Sequence, residues 1–450
     1  MTITHRRILY IFFITLFIVI TPAISFYAAG YNFDFSSGKV QRTGILIIKT
    51  DPKDALVDLG REKISNWFYN FFSPGEDLRT PQKIRNLLPD EYEMLLTKNG
   101  YFDYQRKIKI NPGETLVLDK LELFKNSYPE ISLNQNIIKM ELSPDKSKLA
   151  AVAGQELFIF DINNKTVNKI DLDNNFSTQS FDVLWAPSNK KIILTLGSYP
   201  VFNVENNSRE TELKDYFPGN ITKIFWDDFS DNEIYLKENL YIYHFDLAAK
   251  KKNLFLNKEV YNFTIKDSNL FAIEKIGNEN FLNAYNSDRQ LKSIPIPSSN
   301  YYKFIEQNNK FIYLHDERHN ILYTIDPWSM FPIYDSVNGV KDFSLSGNKI
   351  VYWNDFEIWL YDKENKNRAL VTRISEEINK AILYPGENYI IFNTDNSVNI
   401  MELDGARYLS SLEISDWRGT SDMYLISSGK SIYFLGWLGE KRALYNLDIK

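Results

Sequence analysis

The chain has 450 residues, 44% of them hydrophobic and 24% charged, a globular composition too long for one compact core. Its net charge of −6 and pI near 5.5 argue against a nucleic-acid partner, which needs clustered Lys and Arg. Cysteine is absent, which excludes disulfides, thiolate zinc sites, iron–sulfur clusters and cysteine nucleophiles.

The first predicted element is a membrane helix. Residues 8–29, ILYIFFITLFIVITPAISFYAA, carry no charge over about 22 positions, long enough to cross hydrocarbon. His5, Arg6 and Arg7 precede the run. Arg6 and Arg7 are the topology determinants: positive charge stays inside, so the N-terminus is cytoplasmic and the chain from about Gly30 lies outside. A cleaved signal peptide competes, because Tyr27-Ala28-Ala29-Gly30 offers small residues. The apolar run exceeds the usual signal core of about 7–15 residues, however, and no clean Ala-x-Ala precedes a cut. A buried core helix is the third reading. Residues 1–29 are read as cytoplasmic stub and single-pass anchor, and 30–43 (GYNFDFSSGKVQRT) as a polar–aromatic spacer.

Residues 44–125 predict a small all-β domain. GILIIKT (44–50) is a strand, and DPKDALVDL (51–59) is a turn followed by alternating Ala55, Val57 and Leu59. Ile108 and Ile110 alternate with Lys107 and Lys109, a half-buried strand, and NPGETLVLDKLELF (111–124) adds a turn and a last strand. The matching features are the Gly44 strand, Pro52 and Ala55, the Thr80-Pro81 pair, the loop Leu88-Pro89-Asp90-Glu91-Tyr92, and Gly100-Tyr101. In their order and spacing they resemble the PEGA domain family of bacterial surface proteins. The eponymous Pro-Glu-Gly-Ala is not spelled out, Asp90 stands where Gly is common, and an insertion at 61–79 replaces a short hairpin. The resemblance implies a surface or wall-proximal binding module rather than an activity.

From residue 126 onward a unit of polar turn, apolar strand, gap and second apolar strand recurs. The first copy reads SPDKSKLAAVAG (143–154), then ELFIFD ending at Asp161. The first apolar residues after the turns are Leu149, Ile192, Ile234, Leu270, Phe311, Ile350, Ile390 and Ile432, about 36 to 43 residues apart, the period of a four-stranded propeller blade. Runs such as KIILTL and KIVYW are too apolar for half-exposed strands and suit strands packed on both faces. Many second strands end in an apolar–Asp pair: Phe160-Asp161, Phe245-Asp246, Ile325-Asp326, Tyr361-Asp362, Leu403-Asp404 and Leu447-Asp448. Such an Asp accepts backbone N–H bonds two residues on and starts the next turn. NNKTVNKIDL (163–172) and ENKNRALVTRI (364–374) read as outer strands.

SPDKSKLA (143–150) and WAPSNKKI (185–192) resemble the repeat start of TolB-like and WD-type propellers. That resemblance speaks to fold and not to function. The last copy ends at LYNLDIK, so SYPEISL (127–133) supplies its outer strand and closes the ring. The expectation for 126–450 is an eight-bladed β-propeller, with seven blades if the weak copy near Leu270 is not a true one. The fold class is all-β after one N-terminal transmembrane helix.

Candidate sites are few. Trp67, Phe68, Tyr69, Phe71 and Phe72 crowd the insertion; they are a possible partner or lipid contact, with packing onto their own domain as the plainer reading. His315 and His319 in HDERH would converge on a metal if helical, but not on a hairpin turn. His244 sits in a strand and is expected to pack. DLDNNF (171–176) resembles the start of a calcium loop without its Gly or closing Glu. No nucleophile elbow, P-loop or dinucleotide fingerprint occurs.

No catalytic, cofactor-binding or metal-ligating residue is predicted. The expected function is non-enzymatic binding at the cell surface: a membrane-tethered protein whose propeller presents a loop face to a protein or wall glycan. An extracytoplasmic enzyme with its site in the propeller channel is one alternative. A structural wall-associated scaffold is the other.

Overall fold

A computed structural model describes residues 3–34, 38–60, 77–172, 181–305, 310–404, 407–413, 417–426, 428–438 and 441–450. By its contacts the chain falls into one unit of Met1–Ser127 with Ile449–Lys450, and another of Tyr128–Asp448.

The first unit begins with the helix Ile3–Ala28, 26 residues with Pro22 inside. Its Arg6–Ala28 stretch has a mean hydropathy of 2.4 and no buried share. At about 1.5 Å per residue it reaches roughly 35 Å, so it is long and apolar enough to cross a bilayer. The sequence suggested only a spacer after it, whereas Tyr31–Asp34 and Lys39–Arg42 pair as an antiparallel hairpin. Thr43 closes its base, donating both N–H and Oγ1–H to the Gly30 carbonyl at 2.8 Å. Four-residue strands are too short to show a period, which is why the pattern hid them.

Two three-stranded sheets follow. Gly44–Asp51 lies between Gln82–Leu87 and Thr115–Glu122, and Glu91–Thr97 lies between Leu56–Asp58 and Tyr104–Lys109. The alternation read from the sequence holds: Ala55, Val57, Leu59, Ile108 and Ile110 are buried, while Lys107 and Lys109 are exposed. The residues that carried the family resemblance have local work to do. A Cβ on Gly44 would come within 2.4 Å of Ile110 Cγ2, so only glycine lets the strand pass. Thr50 Oγ1 and Thr80 Oγ1 lie 2.5 Å apart; Thr50 also bonds the Pro52 carbonyl, and Ala55 N–H donates to Thr80 Oγ1 at 3.1 Å. Tyr92 donates its hydroxyl to the Leu88 carbonyl at 2.8 Å. The chain's last residues belong to this unit: Ile449 accepts from Lys125 N–H, and Lys450 Nζ is 2.6 Å from Asp51 Oδ2.

Among its described residues, the second unit holds eight four-stranded antiparallel sheets, seven of them built from four consecutive strands. The first is Lys139–Leu142, Lys148–Ala153, Glu156–Asp161 and Thr166–Asp171. The weak copy around Leu270 forms a complete sheet from Asn262 to Ile296. The eighth sheet joins Trp417–Leu425, Ser431–Leu438 and Lys441–Asp448 to Glu130–Leu133, the strand expected to close the ring.

Strand Lys148–Ala153 shows why the sheets must stack. Its even-numbered Ala150 and Val152 share a core with Val183, Trp185 and Phe202 of the second sheet. Its odd-numbered Leu149, Ala151 and Ala153 share another with Tyr433, Leu435 and Leu444 of the eighth. Period-two alternation therefore serves two neighbours, and both faces are buried. Side chains on the first strands add hydrogen bonds between sheets. Trp185 Nε1 donates to the Glu141 carbonyl at 3.2 Å, and Trp226 Nε1 to Leu184 at 3.1 Å. Tyr424 of the eighth sheet donates to the Met140 carbonyl of the first at 3.4 Å.

The repeat anchors lie on the second strands and are fully buried, with one correction. Leu149, Ile350 and Ile432 pair with Phe160, Tyr361 and Leu447, each the residue before an Asp. In the fifth sheet Ile312 holds that place, opposite Ile325, while Phe311 is only half-buried and precedes the strand. Two adjacent apolar residues made the choice ambiguous, and a slip of one reverses the face. Leu403-Asp404 also falls out of step, because Tyr389 pairs with Glu402. The turn role of the aspartates stands: Asp161, Asp246 and Asp362 each accept N–H bonds from residues two and three onward, and Asn203 does the same.

Ile312→Ala is expected to cost about 2–5 kcal/mol, the range for emptying a packed site, and Phe311→Ala less. Denaturant unfolding of the two variants checks the order, and a larger loss at Phe311 would reinstate the earlier register.

Candidate functional site

Up-and-down sheets sort their loops onto two ends of the unit. One end gathers the hairpins between second and third strands with the links to the next sheet. The other gathers the remaining turns.

At the first end, the sixth sheet carries an open depression of about 690 Å³, lined by Asn354, Asp355, Phe356, Glu357, Arg373, Ile374 and Ser375. Asn354-Asp355-Phe356 is the turn between Lys349–Trp353 and Glu357–Asp362. Cross-strand pairing sets Glu357 opposite Arg373. The Glu357 carboxylate accepts from Arg373 Nε at 2.7 Å, from Trp359 Nε1 at 3.0 Å and from Asn354 Nδ2 at 3.1 Å. These bonds, Arg373 first, hold its carboxyl below the usual glutamate range. Lys341 bridges Asp355 and Glu377 on the flank, and those hydrogen bonds raise its ammonium above the usual lysine range. Phe356 is 49% exposed among these matched charges. A permanently ionised rim around an apolar ring can seat a side chain, but it offers no group poised to move a proton near neutrality.

The histidines do not converge. His315 is buried and its Nε2 lies 2.8 Å from the Val340 carbonyl, whereas His319 Nδ1 lies 2.8 Å from Asp316 Oδ2. His244 packs on Tyr235, ring centroids 4.9 Å apart, and pairs with Glu233. Among the described residues no cluster of His, Asp and Glu could hold a metal ion. Asp171 takes an ion pair with Lys169 at 3.1 Å; most of the calcium-like segment lies outside the described residues. So do Trp67, Phe68, Tyr69, Phe71 and Phe72. Arg6 and Arg7 stand exposed on the helix's first turns.

One carboxylate is displaced the other way. Burial, with the neighbouring Asp227 and Asp267 charges, raises Asp228 above its ordinary range despite a hydrogen bond from Asp267 N–H at 2.8 Å.

Sequence reasoning passed over the turn Asp326–Pro332 at the second end. Trp328, Met330 and Phe331 are 51%, 87% and 77% exposed there. Its composition was legible: Pro-Trp-Ser-Met-Phe-Pro stands where other copies have Asn-Asn-Lys (163–165) or Glu-Asn-Lys (364–366).

No family model matches the chain, and no curated protein matches it. Solved structures do. The C-terminal WD40 domain of Sif2 is 12% identical, covers 71% of this chain and 98% of its own, and superposes with a TM-score of 0.50. The fold is that of a WD40-type β-propeller. A eukaryotic initiation factor (11% identical, 72% of this chain and 91% of its own) gives 0.47, and Saccharomyces cerevisiae Sqt1 (8%, 72% and 98%) gives 0.46; at those scores they carry no argument. Identity this low speaks for the propeller fold and leaves the activity to the site.

Asp316 provides a pH test of the fifth sheet of the propeller. Burial pushes its carboxyl up, but hydrogen bonds from His319 and Ser299 outweigh it and leave it lowered. A lowered folded value means the stabilisation is complete above the unfolded value, near 3.8, and is lost as pH falls through the folded one. Asp316→Asn should therefore lower the melting temperature at pH 7, with a cost of about 1–3 kcal/mol. The gap should begin to narrow only as pH falls below 3.8. A gap constant over that span contradicts the assignment.

Proposed function

We propose that this is a non-enzymatic, membrane-tethered binding protein of the cell surface. Residues 1–29 form stub and anchor, 44–125 a PEGA-like module, and 126–450 an eight-bladed propeller. One observation carries the reading: a 26-residue apolar helix charged only near Arg6 and Arg7 precedes a stiff propeller with an apolar, ion-rimmed depression at its loop end. Positive charge on the N-terminal side favours a cytoplasmic stub with the propeller outside. The ring holds Phe356 and the Glu357–Arg373 pair fixed before a partner arrives, so little entropy is lost on docking. An exposed aromatic ring beside a paired arginine suits an apolar side chain of a protein partner, with a glycan of the wall as the second occupant.

The enzyme reading has Asp228 in its favour, since a carboxylate held above its usual range is a candidate acid. Its partners are turn groups rather than a second catalytic residue, which favours binding.

A photo-crosslinking residue at Phe356 of the full chain tests the proposal in intact membranes. The expected result is a chain that resists carbonate extraction, a reporter at Lys450 on the outer side, and a crosslink to one defined protein. Arg373→Glu, which sets two carboxylates against each other, should weaken that crosslink about tenfold, a change of 1.4 kcal/mol. Crosslinking to glycan alone would make the wall polymer the occupant of the binding face, and no crosslink with tight wall association would favour the structural scaffold. Extraction by carbonate would remove the tether, and substrate turnover lost in Asp228→Asn would reinstate the enzyme.

A further inference from the structure

The turn between the third and fourth strands of the fifth sheet, Asp326–Pro332, differs from its counterparts in the first and sixth sheets. Those place Asn-Asn-Lys (163–165) and Glu-Asn-Lys (364–366), and the Asp228-Phe229 turn at the same end exposes one ring, whereas this one places Trp328, Met330 and Phe331 between two prolines. Met330 and Phe331, at 87% and 77% exposure, project into solvent with almost nothing against them. The base of the loop is held. Trp328 meets Phe271 edge-on at 6.1 Å, the Asp326 carbonyl accepts Ser329 N–H at 3.1 Å, and Asp326 N–H donates to the Pro332 carbonyl at 2.8 Å. A fixed base under bare apolar tips is unusual in water, where such side chains normally find cover.

Cations surround that base. Lys292 Nζ donates to the Ser329 carbonyl at 2.8 Å, and Lys366 Nζ lies 4.7 Å from the centre of the Tyr334 ring, reaching its carbonyl at 3.4 Å. Both lysines bond backbone oxygens, so these contacts leave their charge uncancelled. Lys310 is the exception, paired with Asp326 at 2.9 Å. Asp335 takes the Tyr361 hydroxyl, and Glu364, two positions from Lys366, accepts from Asn348 Nδ2 at 3.2 Å.

We infer that the Asp326–Pro332 loop is a lipid-interface contact: Met330 and Phe331 enter the acyl boundary, Trp328 sits at headgroup depth, and Lys292 and Lys366 face anionic headgroups. Aromatic residues at the interface with lysines behind them are the combination that anionic bilayers hold. Lys292 and Lys366 behind the tips favour an anionic bilayer over an apolar patch of a protein partner. The inference rests on the tether reading only for local concentration, since an anchored propeller meets its own bilayer often.

Because the chain has no cysteine, an environment-sensitive dye can be placed at one site. Full-length Met330→Cys and the control Ala248→Cys, in another exposed turn of the same end, are labelled and mixed with vesicles of phosphatidylglycerol and phosphatidylcholine. The dye at 330 should shift to the blue and be quenched by lipids brominated in their acyl chains, while the dye at 248 stays as in water. Lys292→Gln with Lys366→Gln should cut the shift by more than about half. Flotation of the labelled control reports the tether separately. A chain that fails to float removes the anchor, yet the dye at 330 still answers for the loop when lipid is in excess. No shift at 330 overturns the inference. So does an equal shift with phosphatidylcholine alone, or a shift without vesicles that grows with protein concentration, the signature of a second copy.

Discussion

Each sheet of the ring carries two apolar faces and can bury neither by itself. Strand Lys148–Ala153 shows the constraint at its smallest: alternate side chains go to different neighbours, and both sets are buried. Such a strand gains its stability from the adjoining sheets and not from its own hairpin, as expected where repeats depend on nearest neighbours. The series has to end on itself. Leu444 and Tyr445 pair with Leu133 and Ile131, and Tyr424 reaches back to Met140. The unpaired edge that a linear array would expose is thereby removed.

Much of this was legible in the sequence because turn chemistry and strand burial are local. Ser143, Pro144 and Asp145 announce a turn, and that turn forms: Lys146 N–H bonds the Ser143 carbonyl at 2.8 Å, while the Asp145 carboxylate accepts from Ser147 N–H at 2.9 Å. The closing strand was legible too, since SYPEISL (127–133), ahead of the first copy, has the character of an outer strand. What stayed hidden depends on pairing. Phe311 and Ile312 are both apolar, so only their partners reveal which one belongs in the strand. Glu402 and Asn203 occupy the place where other copies have Asp, and no composition rule would have aligned them.

The candidate site was hidden for the same reason. Phe356 comes from a hairpin, Glu357 opens the following strand and Arg373 ends the next one. Cross-strand register brings the last two together, although sixteen positions separate them in the chain. The exposed loop at Asp326–Pro332 is the opposite case. Its composition departs openly from the other copies, and comparing turn with turn, rather than strand with strand, would have singled it out. The small β unit lies between these extremes: Gly44, Thr80 and Ala55 form a spaced pattern in sequence, and the structure supplies a steric or hydrogen-bonding reason for each.

The partnership of Glu130–Leu133 with Lys441–Asp448 also sets an order of events during biosynthesis. The first of these strands leaves the ribosome well before its mate and stays unpaired until Lys441–Asp448 has followed it. Every intermediate sheet can assemble in the meantime, but the circle stays ajar. A stall or a premature stop ahead of Lys441 would leave an early strand unmated and a late edge bare, the kind of surface that quality control recognises. For this protein, maturation is timed by the arrival of Lys441–Asp448.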